Sequence, residues 1–202
     1  MLRVHRIAFS TNVERVALAA AHKGVEVEWI DHHPADRSAI EELSGQPLVP
    51  VAEFDGSILR GSMRIIERLE SEFPEPPLFP TDPLDAARSR IFISWFDRVW
   101  KGPPNALDVE GDPPPDADQL RTRAAAWTGW VAGLLSDGRP YLGGETLGAA
   151  DICAFPFLKY AVVDPEPGDE EQFHYILVDL LRREAHPALD EWVARIDALP
   201  RA

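Results

Sequence analysis

Five prolines fall within ten residues, at Pro74, Pro76, Pro77, Pro80 and Pro83, and no other feature constrains the fold of this chain as strongly. Each proline fixes its own φ, lacks an amide hydrogen and pushes the residue before it away from helical conformation. Neither a helix nor an inner strand can run through such a stretch, so a stiff linker is expected there. The two sides differ in texture. Before the prolines, short runs of period two alternate with runs of helical period; after them, every run is helical.

On the N-terminal side, Leu2-Arg3-Val4-His5-Arg6-Ile7 alternates apolar and basic residues, the pattern of a half-buried strand. Val13, Val16, Ala17 and Ala20 recur at helical spacing, and Gly24 suits the left-handed end of that helix. Val25 to Ile30 alternates again, so the first thirty residues read as a βαβ unit. A polar stretch, Pro34 to Gly45, leads to an apolar run from Pro47 to Phe54. Asp55-Gly56 is a hairpin turn signal, and Ser57-Ile58-Leu59 is the returning strand. Ser62 then opens a helix with Ile65, Ile66, Leu69 and Phe73 on one side. The predicted order is β-α-β-α-β-β-α.

Beyond the prolines, one helix is predicted from Leu84 to Trp100. It carries Ile91, Phe92, Trp95, Phe96, Val99 and Trp100, too wide an apolar stripe for a surface helix. A loop rich in proline and aspartate is expected from Gly102 to Pro115, mobile from Gly111 onward. Further helices are predicted through Leu120–Leu134, from Ala149, over Glu170–Arg183, and over Pro187–Ala198, where Leu189, Trp192, Val193 and Ile196 form one face. The domain reading is 1–75, a linker at 76–83, and 84–202.

The 202 residues include 34 acidic and 20 basic side chains, a net charge of −14. Such a surface repels phosphate backbones and anionic lipid heads, so neither nucleic acid nor membrane is an expected partner. Cys153 is the lone cysteine, which excludes an intramolecular disulfide and a cysteine-based zinc site. The first residues run straight into a strand pattern without a signal-peptide apolar run, and no stretch approaches the ~20 apolar residues of a membrane span. A cytoplasmic protein is expected. The six histidines show no metal-ligand spacing, and no metal is expected.

Four segments, in order, resemble the cytosolic glutathione transferase family. They are Phe9-Ser10-Thr11-Asn12-Val13-Glu14-Arg15-Val16-Ala17-Leu18-Ala19; Val49-Pro50 followed by Gly61-Ser62; Leu147-Gly148-Ala149-Ala150-Asp151-Ile152 with Pro156; and His186-Pro187-Ala188-Leu189-Asp190-Glu191-Trp192. With serine at position 10, the chain looks like a serine-type, bacterial-like member. The resemblance implies an α/β thioredoxin-like N-terminal domain and an all-α C-terminal helical bundle domain. It also implies a homodimer that uses glutathione, or another low-molecular-weight thiol, as co-substrate.

In that family the residue corresponding to Ser10 activates the thiol. A helix N-terminus offers free N–H groups and partial positive charge, which would hold a thiolate below the free thiol pKa of about 8.5. Ser10 would donate a hydrogen bond to that thiolate while staying un-ionised; as a residue type it is equally an ordinary N-cap. Thr11 and Asn12 are rival donors. A serine here, where a cysteine would permit mixed-disulfide chemistry, points away from thioltransferase activity. Val49-Pro50, after Leu48, resembles the family's cis-proline site, where the Val49 backbone would pair with the extended thiol peptide like an added strand. Ser62 suits a carboxylate-binding role at a helix N-terminus. Gly61 departs from the pattern, because the family commonly has an acid there to hold the ligand's ammonium group. Losing one such charge-assisted bond costs about 1.5–3 kcal/mol.

Trp95 and Arg98 are the candidates for the wall of an acceptor pocket for apolar electrophiles, although the aromatic stripe reads equally well as core. Gly148 to Asp151 reads as a capping box, with Asp151 reaching back to the Gly148 amide and Leu147 and Ile152 in staple positions. The function expected is conjugation of the thiol to an apolar electrophile. The alternatives are a glutathione-dependent isomerase or a non-catalytic binding protein on the same fold.

Overall fold

The computed structural model describes residues 1–109 and 114–202. They form two compact units, Met1–Leu78 with Leu199–Ala202, and Phe79–Ala198.

The first unit runs β1 (Leu2–Ile7), α1 (Thr11–Lys23), β2 (Val27–His32), α2 (Ser38–Ser44), β3 (Val51–Phe54), β4 (Ser57–Arg60) and α3 (Ser62–Glu72). The strands lie in the order β2-β1-β3-β4, with β1 and β2 parallel and the other two pairings antiparallel. The α1 crossover makes the parallel pair. The short Asp55-Gly56 turn makes the β3–β4 hairpin, with φ of 48° and 76° at its two central residues, the positive values that match strand twist. Alternation along β1 divides its side chains between faces. Ile7 joins Val51 and Ile40 of α2 in one buried cluster; Leu2 and Val4, of opposite parity, are buried on the other face. α1 packs on α3, and Ile65, Ile66 and Leu69 are fully buried while Phe73 is exposed beyond the helix end. Gly24 closes α1 at φ 64°, its amide bonding Ala21 O and the Val25 amide bonding Ala20 O.

The last four residues differ from the sequence reading, which places them with the helical domain. They cluster with the first unit because their polar groups find partners there. The Ala202 amide donates to Ala17 O, Trp29 Nε1 donates to Ala202 O, and Arg201 pairs with Glu14.

The second unit is helical: α4 (Pro83–Trp95), α5 (Gly102–Leu107), α6 (Ala117–Leu134), α7 (Ala149–Leu158), α8 (Gln172–Leu181) and α9 (Pro187–Asp197). Asp82 caps α4 by accepting from the Leu84 and Asp85 amides at 2.9 and 3.0 Å, and Pro83 sits where a missing amide costs nothing. The helix continues as a π turn over Phe96–Trp100, with the Lys101 amide bonding Phe96 O. The wider turn stacks the buried Phe96 and Trp100 rings, 4.6 Å apart and 9° from parallel. Gly102–Leu107, expected to be loop, is helix α5: Pro103 and Pro104 lie in its first turn, where prolines are tolerated. The segment from Gly111 expected to be mobile lies largely outside the described residues. Every residue of α7 is buried, Cys153 included. Among the described residues no helix is long and apolar enough to cross a membrane.

Candidate functional site: two helix N-termini in the first unit

The chain leaves β1 through Phe9, held at φ 63° and exposed. That turn brings Ser10 to the N-cap of α1, where its carbonyl accepts from the Val13 and Glu14 amides, both at 3.0 Å. The Ser10 side chain makes no capping bond to the helix and is half-buried. Its hydroxyl therefore remains available as a donor. The Thr11 and Asn12 amides start the helix with no acceptor in a preceding turn. The Thr11 side chain is buried, whereas Asn12 is half-buried and its Oδ1 accepts from Arg15 Nη1 at 3.2 Å.

The second N-terminus is that of α3. Gly61 caps it at φ 85°, a left-handed value that only glycine adopts without strain. The Gly61 amide donates to Pro50 O at 3.1 Å, so the start of α3 is tied to the proline segment ahead of β3. The Val49–Pro50 bond is cis, as is Glu75–Pro76 in the proline-rich stretch, which nothing in the sequence reading singles out. Leu48 is exposed, and its amide and carbonyl are both engaged by the Gln46 carboxamide, at 2.8 and 2.7 Å. Val49 packs its side chain on the Ile7 cluster. Among the described residues none hydrogen-bonds the Val49 backbone, so its amide and carbonyl are open to an extended partner. Ser62 is buried at the first position of α3, and Arg60 and Arg64 beside it are exposed.

Arg15 joins the two N-termini. Its side chain is 1% exposed, and its Nη1 donates to Asn12 Oδ1 and, at 3.3 Å, to Ser62 Oγ. The sequence reading has Arg15 only inside a longer motif and gives it no role. Its one signal is position: a strongly basic residue between Val13 and Val16 in an apolar stripe, three residues from Asn12.

In the second unit, Trp95 belongs to an aromatic cluster with Phe92, Trp127 and Trp130, at centroid distances of 6.0, 6.2 and 4.7 Å. Trp130 is half-exposed, and Arg98 is exposed on the π turn. Asp151 is buried and accepts from the Gly148 amide at 3.0 Å, the Leu142 amide at 2.8 Å and the Trp192 indole at 2.8 Å. With glycine at the N-cap, only the carboxylate half of a capping box forms. Burial pushes the Asp151 carboxyl up to about 6 against the three hydrogen bonds, which pull it down. Among the described residues no group of three or more histidine, cysteine, aspartate or glutamate side chains could hold a metal ion.

A mixed four-stranded sheet flanked by helices, followed by an all-helical unit, defines a two-domain protein with a thioredoxin-like first domain. Residues 4–77 match the family description "Glutathione S-transferase, N-terminal domain", and residues 95–195 match "Glutathione S-transferase, C-terminal domain". The chain is 24% identical over 189 residues to glutathione S-transferase U1 of Arabidopsis thaliana, covering 91% of this chain and 78% of the relative. It is 35% identical over 79 residues to a probable maleylacetoacetate isomerase of Caenorhabditis elegans, covering 38% of this chain and 37% of that protein. A rice glutathione transferase solved in complex with glutathione superposes with a TM-score of 0.78 at 20% identity, over 98% of this chain and 86% of the other. The chain belongs to the glutathione S-transferase family and is a glutathione transferase-like enzyme.

Proposed function

We propose that the chain conjugates glutathione, or a closely related low-molecular-weight thiol, to an apolar electrophile. The thiol loses its proton to solvent; the thiolate forms a carbon–sulfur bond, and the leaving group departs with the electron pair of the bond that breaks. Ser10 and the α1 N-terminus stabilise the thiolate, the Val49 backbone pairs with the peptide, and Ser62 with the α3 N-terminus holds a carboxylate. The observation that carries this reading is that Arg15 Nη1 lies within hydrogen-bond reach of both helix N-termini, 3.2 Å from Asn12 Oδ1 and 3.3 Å from Ser62 Oγ. Two anion-attracting ends are thus bridged by one side chain.

The magnitudes suffice. A charge-assisted hydrogen bond contributes about 1.5–3 kcal/mol and a helix N-terminus about 0.3–1 kcal/mol. Together they lower a thiol pKa from about 8.5 to about 6–7, so half or more of a bound thiol is ionised at neutral pH. Trp95 and Arg98 are the proposed acceptor-side residues. The chain acts in the cytoplasm as a homodimer, which light scattering tests by mass.

Turnover of a chromogenic aryl halide with glutathione tests the reading. A folded protein that gives no rate above background and no binding heat with glutathione at millimolar concentration overturns it. The match to a probable maleylacetoacetate isomerase motivates a second reading, a glutathione-dependent isomerase. The two separate on stoichiometry: a transferase consumes one thiol per turnover, whereas an isomerase returns it.

A further inference from the structure

Arg15 is a buried, donor-only group that contacts both ends of the proposed thiol site. A guanidinium carries five N–H donors and no acceptor, so any side chain that bonds it must turn a lone pair inward. Asn12 presents Oδ1 to Arg15 at 3.2 Å, which leaves the Asn12 amino group facing the other way. Ser62 presents an Oγ lone pair at 3.3 Å, so its hydroxyl proton is left to donate elsewhere. Neither Asn12 nor Ser62 has a second side-chain hydrogen bond among the described residues.

We infer that Arg15 is a positioning residue that sets the hydrogen-bond polarity of the site, making Asn12 and Ser62 outward donors to the ligand's sulfur and carboxylate. This inference rests on the thiol-binding reading above. An asparagine without such a partner is free to rotate its amide and present its carbonyl oxygen, which repels a thiolate. A serine hydroxyl without a donor behind it is equally free to turn its lone pairs toward the ligand. With Arg15 in place, each N-terminus adds a side-chain donor to its free amides. Both ends of the site then favour anions, in keeping with the absence of an acid at Gly61. Arg15 acts on the ligand through Asn12 and Ser62.

The test is titration of bound glutathione by the ultraviolet absorbance of its thiolate, in wild type, Asn12→Ala, Arg15→Lys and the double variant. The charged neighbours Glu14, Arg60 and Arg64 are the same in all four proteins, so their field cancels in the comparison. Asn12→Ala is a test of sign. If the outward group is a donor, removing it raises the thiol midpoint by about one pH unit, or tenfold less thiolate at fixed pH. An unchanged or lowered midpoint in folded Asn12→Ala overturns the inference. Arg15→Lys raises the midpoint in the wild-type background and not in the Asn12→Ala background, and it weakens glutathione binding about tenfold through Ser62. Equal midpoint shifts in both backgrounds overturn the coupling. Should Arg15→Lys not fold, the sign of the Asn12→Ala shift still decides. A wild-type protein that neither binds nor ionises glutathione overturns the thiol-binding reading, and this inference with it. A wild type that ionises the thiol alongside variants with the same midpoint overturns this inference alone.

Discussion

Asp151 is the point at which stability should respond most clearly to a single atom. The substitution Asp151→Asn keeps the shape and exchanges one acceptor oxygen for an amino group. In the native protein Oδ1 accepts from Leu142 and Trp192 while Oδ2 accepts from Gly148. The amide oxygen of the variant side chain can serve the first two donors, but its amino group then faces the Gly148 amide. That lost bond and orphaned donor cost about 1–2 kcal/mol at every pH. The ionisation term depends on pH. The Asp151 carboxyl is raised from 3.8 to about 6 in the folded protein, so folding favours its protonated form. The stabilisation is fully present below the unfolded value and is lost as pH rises through the folded one. The whole loss is the shift times 1.36 kcal/mol, about 3 kcal/mol, of which about 2.4 kcal/mol falls between pH 4 and pH 7. The asparagine variant has no such term. Wild type is therefore expected to be the more stable protein at pH 4 by about 1 kcal/mol, and the variant at pH 7 by about 1–2 kcal/mol. Urea unfolding followed by circular dichroism at a series of pH values gives the difference curve directly. A difference that stays flat from pH 4 to pH 7 would refute the argument that burial, and not hydrogen bonding, dominates this carboxylate.

Ser10→Ala should leave stability within about 0.5 kcal/mol, because its side chain makes no capping bond, while turnover with glutathione falls roughly ten- to a hundredfold; steady-state kinetics beside a urea melt shows whether the two separate. Lys23→Met should destabilise the first unit by about 2–4 kcal/mol. Its buried ammonium donates to Phe73 O at 2.6 Å and Pro76 O at 2.8 Å and pairs with Glu70. Limited proteolysis between residues 74 and 82 should accelerate with it. Gly61→Glu places a side chain where φ is 85° with open space around the added Cβ, so the cost is backbone strain alone, about 1–3 kcal/mol. Calorimetry should nevertheless show tighter glutathione binding, since the new carboxylate can hold an ammonium group.

Much of this protein is legible before folding because its signals are local. The α1 stop at Gly24, the Asp55-Gly56 hairpin, the Gly148–Asp151 cap and the apolar face of α9 each lie within a few residues of the groups that satisfy them. The position of the cis proline comes from the family motif, and the structure has it at Val49–Pro50. Helix α5 is hidden in the sequence because its two prolines read as breakers, although at the start of a helix they break nothing. Arg15 and Lys23 are hidden for a different reason. A charged residue on an amphipathic helix reads as solvent-facing, and the apolar neighbours of Arg15 alone do not name the partners that bury it.

By itself, then, the sequence determined most of the elements and their order, because backbone hydrogen bonding and side-chain period act over a few residues. Tertiary structure alone decided which polar groups far apart in the sequence meet. Arg15 finds Ser62 across 47 positions, Lys23 finds the Pro76 carbonyl across 53, and Trp29 finds the terminal Ala202 across 173. A buried donor must have an acceptor, but its free energy does not depend on where along the chain that acceptor lies. Only the packed fold brings the two together. The chemistry proposed for this protein sits at such a junction, between two helix starts that the Arg15 side chain contacts.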